Sequence, residues 1–184
     1  MCYNAEVSFG TWAFGMLCAW VLSQSGVPLQ AMAFPLSVTQ MQLVEGLRWV
    51  KAVDERLLAI LGKLVLVLQP VAAFVEAKTY GFIAPYLAVQ AVVELLYGSR
   101  DLRFTVAEDG HFKWNWSFDP VSLQALPYWI GLVVGAWFVV SRPMAIVLLV
   151  ALAYFYLNHA QYETYGSLWC VWVNLMWIDY LLRM

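Results

Sequence analysis

The chain has 184 residues, 63% hydrophobic and 12% charged, with a formal net charge of −2. A soluble domain carries about 45–50% apolar and about 25% charged residues, so a bilayer is the expected solvent, and the near-neutral charge offers no basic footprint for nucleic acid. Cys2, Cys18 and Cys170 lack any C-x-x-C spacing, which argues against a disulfide framework or a zinc finger.

About 20 residues cross the hydrocarbon of a bilayer, and the apolar runs supply about seven candidate spans. The first covers Val7 to Gln24. No Lys or Arg precedes it and no clean small-residue cleavage site follows, so it is read as a span that stays rather than a signal peptide. A Ser-Gly-Val-Pro turn at Ser25 to Pro28 breaks it. The second, Leu29 to Val50, is the most polar and holds Pro35, Gln40, Gln42 and Glu45. After a charged connector, Lys51 to Arg56, the third runs from Leu57 to Ala77 with Lys63 and Gln69-Pro70 inside it. The fourth, Tyr80 to Tyr97, carries Pro85, Gln90 and Glu94.

Residues 98–120 form the longest polar segment. Alternating runs flank Asp109-Gly110, a dipeptide suited to a tight turn needing positive φ, and predict a short β-hairpin over residues 102–117. Its His111, Lys113, Trp114 and Trp116 would lie on the membrane surface as anchors. The fifth span, Leu123 to Val140, contains Gly131-x-x-x-Gly135, a small-residue face that another helix can approach closely. Ser141-Arg142-Pro143 reads as a turn with proline at the first helical position. The sixth span is Pro143 to Leu157 and the seventh Glu163 to Leu182. The expected fold is therefore an all-α integral membrane protein, one multi-pass domain over residues 1–184 with a surface hairpin. Arg48, Lys51, Arg56, Arg100, Arg103 and Lys113 fall on the N-terminal side, against Lys78, Arg142 and Arg183 on the other. That bias puts the N-terminus on the cytoplasmic-equivalent side.

Five stretches carry a resemblance. They are Met1-Cys2-Tyr3-Asn4-Ala5-Glu6-Val7-Ser8-Phe9, the polar second span from Met41-Gln42 to Trp49, Gln69-Pro70, Gly110-His111-Phe112-Lys113-Trp114-Asn115-Trp116, and Gly166-Ser167-Leu168-Trp169-Cys170. Together they resemble an uncharacterised family of small multi-pass membrane proteins of giant viruses and algae. The resemblance covers nearly the whole chain and implies a seven-span membrane protein. It brings no activity with it.

Candidate chemistry gathers on one side. Followed across the bilayer, Cys2, Asn4, Glu6, Glu45, Glu94, His111, Lys113, His159, Glu163 and Cys170 all fall in or near the N-terminal half. An ionisable group at membrane depth costs about 2.5–3.5 kcal/mol on insertion scales and commonly lines a cavity or pairs with another. On one helix, His159, Glu163, Ser167, Cys170 and Asn174 would share a stripe. His, carboxylate and thiolate suit zinc or copper, and His with Cys can form an activated nucleophile. Set against this, Glu163 at a helix start complements the dipole and Cys170 behaves as a small buried apolar residue. That plainer reading is preferred, and no metal is assigned. Cys2 would be a terminal nucleophile if Met1 were removed, or an S-acylation site.

Gln42 with Glu45, and Gln90 with Glu94, are helical-face pairs that could meet a proton, cation or polar head group near Gln69-Pro70. The alternative is inter-helix hydrogen bonding worth about 0.6 kcal/mol per contact. No inverted repeat supports a transporter. The expected function is a structural or accessory component of a larger membrane assembly, its partners the lipid bilayer and other membrane subunits. No cofactor is assigned, and a bound lipid fits. The alternatives are an intramembrane enzyme or metal site built on His159, Glu163, Cys170 and Glu45, and a transporter of a small polar solute or proton.

Overall fold

The computed structural model describes residues 4–97, 104–106, 112–114, 126–159 and 170–183. Seven helices run through them: α1 (Ala5–Gln24), α2 (Ala33–Trp49), α3 (Glu55–Glu76), α4 (Ile83–Tyr97), α5 (Leu126–Val139), α6 (Arg142–His159) and α7 (Cys170–Leu182). Short 3₁₀ turns at Leu29–Met32 and Tyr80–Phe82 lead into α2 and α4. Two strands, β1 (Phe104–Val106) and β2 (Phe112–Trp114), pair antiparallel with Phe104 opposite Trp114. The expected turn at Asp109-Gly110 lies outside the described residues. Among the described residues, three stretches are long and apolar enough to cross a membrane: Ala5–Gln24, Glu55–Glu76 and Tyr80–Tyr97.

Two expected boundaries shift. Leu29 to Val50 is not one helix, because Pro28 and Pro35 confine the regular hydrogen-bond ladder to the residues after the 3₁₀ turn. His159 closes α6 while Cys170 opens α7, so the two stand on different helices rather than along one stripe. Glu163 and the rest of 160–169 lie outside the described residues.

The helix limits follow from local chemistry. Asn4 and Asp54 are N-caps, their side-chain oxygens accepting from Val7 N at 2.8 Å and Leu57 N at 3.0 Å. At the C-terminus of α1, Gly26 takes φ +85° and Val27 N donates to Leu22 O at 3.0 Å, a Schellman closure. Helices α2 and α3 close the same way through Lys51 (φ 52°) and Lys78 (φ 57°), with Ala52 N on Leu47 O and Thr79 N on Phe74 O.

Among the close approaches in the core, two involve α7 and α5. At the first, Trp177 of α7 is fully buried and donates its indole N–H to Thr39 Oγ1 of α2 at 2.8 Å. Gly15 of α1 lies against this pair, and a Cβ there would sit 2.7 Å from both Thr39 Cγ2 and Trp177 Nε1. At the second, the Gly131-x-x-x-Gly135 face of α5 meets α3. A Cβ on Gly131 would lie 3.0 Å from Pro70 Cβ, and one on Gly135 would lie 2.5 Å from Ala73 Cβ. Helix α4 is attached more lightly, with Tyr86 and Gln90 as its buried residues.

Adding volume at the α3–α5 contact should destabilise the fold by about 1–3 kcal/mol, the usual range for overpacking. We expect Gly135→Val to lower the melting temperature in detergent, followed by size-exclusion recovery after heating. Gly135→Ala should be milder and partly rescued by Ala73→Gly.

Candidate functional site

A helix leaves its first N–H and last C=O groups without intrahelical partners, and hydrocarbon supplies none. At one end of the bundle these groups are met by side chains from other helices. The N-cap of α2, Met32, makes no side-chain cap bond. Instead, Glu76 at the end of α3 accepts from Phe34 N through Oε2 at 2.9 Å. An acidic group there also complements the helix dipole. The other oxygen of Glu76 accepts from the Tyr180 hydroxyl of α7 in a short hydrogen bond.

Asp179 of α7 and Arg183, just past that helix, complete this end. Asp179 accepts from Ser141 N at 3.2 Å and Ser141 Oγ at 2.5 Å. Ser141 is in turn the N-cap of α6, its hydroxyl accepting from Met144 N at 3.4 Å. Arg183 pairs with Asp179 Oδ2 at 3.1 Å and donates to Val139 O, the last carbonyl of α5, at 3.0 Å. Its guanidinium lies 4.3 Å from the centre of the Tyr180 ring. The start of α2, the end of α3, the α5–α6 turn and the end of α7 are thus tied by one connected polar network.

Away from that end the polar contacts form smaller groups. Gln69, buried in α3, accepts from the Tyr128 hydroxyl of α5 at 2.7 Å. Pro70 has no N–H to give and disturbs the carbonyls one turn back. The Tyr86 hydroxyl of α4 reaches one of these, Val67 O, at 3.1 Å. Lys63 of α3 forms an ion pair with Glu94 of α4 at 2.5 Å, and Gln90 Nε2 adds a bond to Glu94 at 3.4 Å.

Of the residues singled out from the sequence, Gln90 and Glu94 are brought together, and Lys63 joins them. Gln69 bonds to Tyr128 instead. Gln42 and Glu45 are buried in α2. Asn4 serves as a cap, and Glu6 is exposed on the first turn of α1. Lys113 and Trp114 stand in β2 opposite Thr105 and Phe104. Cys2, His111, Trp116 and Glu163 lie outside the described residues. Among the described residues, no group of three or more His, Cys, Asp or Glu is arranged to hold a metal ion.

Sequence reasoning passed over Glu76, Ser141, Asp179, Tyr180 and Arg183. Two signals pointed to them: Asp179 and Arg183 at helical i,i+4 spacing, and a serine directly before Arg142-Pro143 in an N-cap position. Glu76 gave none, since its chief partners are remote in sequence. No family model, curated protein or solved structure matches the chain.

Removing the Glu76 carboxyl orphans two donors, each costing about 1–3 kcal/mol when buried. Glu76→Ala should therefore lower the melting temperature sharply, and Glu76→Gln less, because an amide oxygen still accepts. Tyr180→Phe should weaken Glu76→Gln far less than it weakens the wild type, the non-additivity expected of groups in contact.

Proposed function

We propose that the chain is a seven-span membrane protein whose role is structural: an accessory subunit held in a larger membrane assembly, with its N-terminus on the cytoplasmic-equivalent side. One observation carries the reading. A set of polar side chains on the described helices joins helix to helix. Glu76, Asp179 and Arg183 satisfy helix ends, Gln69 binds Tyr128, Thr39 binds Trp177, and Lys63 neutralises Glu94. Groups engaged this way hold a shape instead of facing a substrate or a permeating ion.

The outward faces point the same way. Leu95 is 85% exposed, Leu157 79% and Val150 64%, so α4 and α6 turn large apolar side chains away from the bundle. Such faces suit lipid tails and the helices of other subunits. The enzyme alternative depends on Glu45 converging with His159, Glu163 and Cys170. The transport alternative depends on a polar path from Gln42 to Glu94, and Gln69 and Glu94 on that path are bound to Tyr128 and Lys63.

Affinity purification of the full chain from its native membrane in mild detergent tests the proposal. The expected outcome is stoichiometric co-purification with other membrane subunits, lost on harsher solubilisation. A monodisperse lone monomer with an activity abolished by Glu45→Gln would overturn it.

A further inference from the structure

A crevice of about 310 Å³ opens between α4 and α5, within the size range of small-ligand sites. Phe74 and Phe82 border it, with Tyr86 and Val89 along α4 and Ile130 and Val134 along α5. Tyr86 is the one lining residue with a polar side-chain atom, and its hydroxyl donates to Val67 O. Nothing polar in the lining is left to recognise a polar ligand. What fits is hydrocarbon.

The crevice exists for a local reason. Helix α4 buries Tyr86 and Gln90, and Tyr86 packs where Gly131 of α5 has no side chain, a Cβ there falling 3.0 Å from its ring. The helices meet at that point and leave a gap beside it. The end bordered by Phe74 and Phe82 is tied to the α3–α4 turn. Thr79 N donates to Phe74 O at 2.9 Å, and Phe82 N donates to Thr79 O at 3.1 Å. The residue before Thr79 is Lys78, exposed, held at φ 57°, and without an ion-pair partner among the described residues. Lys78 thus belongs to the turn that joins Phe74 to Phe82, the two residues bordering that end of the apolar slot.

We propose that this crevice holds one acyl chain of an anionic membrane phospholipid, its phosphate, which no head-group cation neutralises, paired with Lys78. The proposal rests on the membrane reading above and is independent of the accessory role. An apolar tail is driven into the slot by the contacts it recovers there, and the anionic head group adds the attraction of one basic side chain. The same slot would take the tail of a neutral lipid, so charge at Lys78 sets the preference among head groups.

The test uses the full chain reconstituted in phosphatidylcholine vesicles with a trace of phospholipid bearing a diazirine at the end of one acyl chain. Phosphatidylglycerol and phosphatidylcholine probes are compared, and labelled residues are mapped by mass spectrometry. Labelling should concentrate on Val89, Ile130 and Val134 above Ile146 and Val150, which are exposed on α6. Lys78→Gln should reduce crevice labelling by phosphatidylglycerol about twofold to fivefold, the effect of one exposed ion pair, and leave phosphatidylcholine labelling unchanged. Val134→Trp should fill the slot and abolish both, and Val89→Trp, at a half-exposed position, should do the same without disturbing the fold. Equal labelling of α4, α5 and α6, or indifference to Lys78→Gln or to a slot-filling variant that still folds, would overturn the proposal. Failure of the chain to float with the vesicles would instead overturn the membrane reading.

Discussion

Everything at one end of this bundle depends on how helix termini are satisfied where water is scarce. Backbone groups left over by α2, α5 and α6 need partners, and the chain draws them from α3 and α7. Glu76 is the pivot. It caps α2, which lacks a side-chain cap of its own, and it anchors Tyr180 of α7. Through Tyr180, Arg183 and Asp179, the same network continues to the α5–α6 turn. Each bond is modest in net terms, about 1 kcal/mol. Their effect on geometry is larger, because a helix whose end is capped by a neighbour cannot slide along its axis without orphaning that end.

Tight packing in the interior follows from the same constraint. With the ends of α2, α3 and α7 in register, Trp177 meets Thr39 beside Gly15, and Gly135 meets Ala73. A carbon added at Gly15 or Gly135 would have to displace a neighbour. Apolar association alone is a weak organiser in a bilayer, where lipid tails are as apolar as leucine, so small residues and polar pairs carry the specificity. Helix α4 illustrates the opposite case. It is joined by Tyr86, by Gln90 and by the Lys63–Glu94 pair, and it leaves a crevice toward α5. The result is a firmly clasped body with a loosely packed helix on its flank.

The readable and unreadable parts of this protein divide along sequence distance. Gly131-x-x-x-Gly135 announced a close helix contact, because the absence of a side chain is a property of the residue itself. Gln90 and Glu94, one turn apart, were legible as a pair for the same reason. Their cation, Lys63, was visible as a charge inside an apolar run, but not as their partner. Asn4 looked like a site residue and is a helix cap. Glu76, at the end of an apolar span, was not singled out at all.

By itself, the sequence indicated most of the helical stretches and the apolar runs long enough to cross a membrane, since hydropathy, proline position and capping residues act over one or two turns. It also marked the small-residue faces. Only the tertiary structure decided which helices those faces meet, and which backbone ends Glu76, Asp179 and Arg183 serve. The physical reason is that a hydrogen bond depends on distance in space: Glu76 bonds to Phe34 and to Tyr180, and no local pattern at Glu76 encodes either of them.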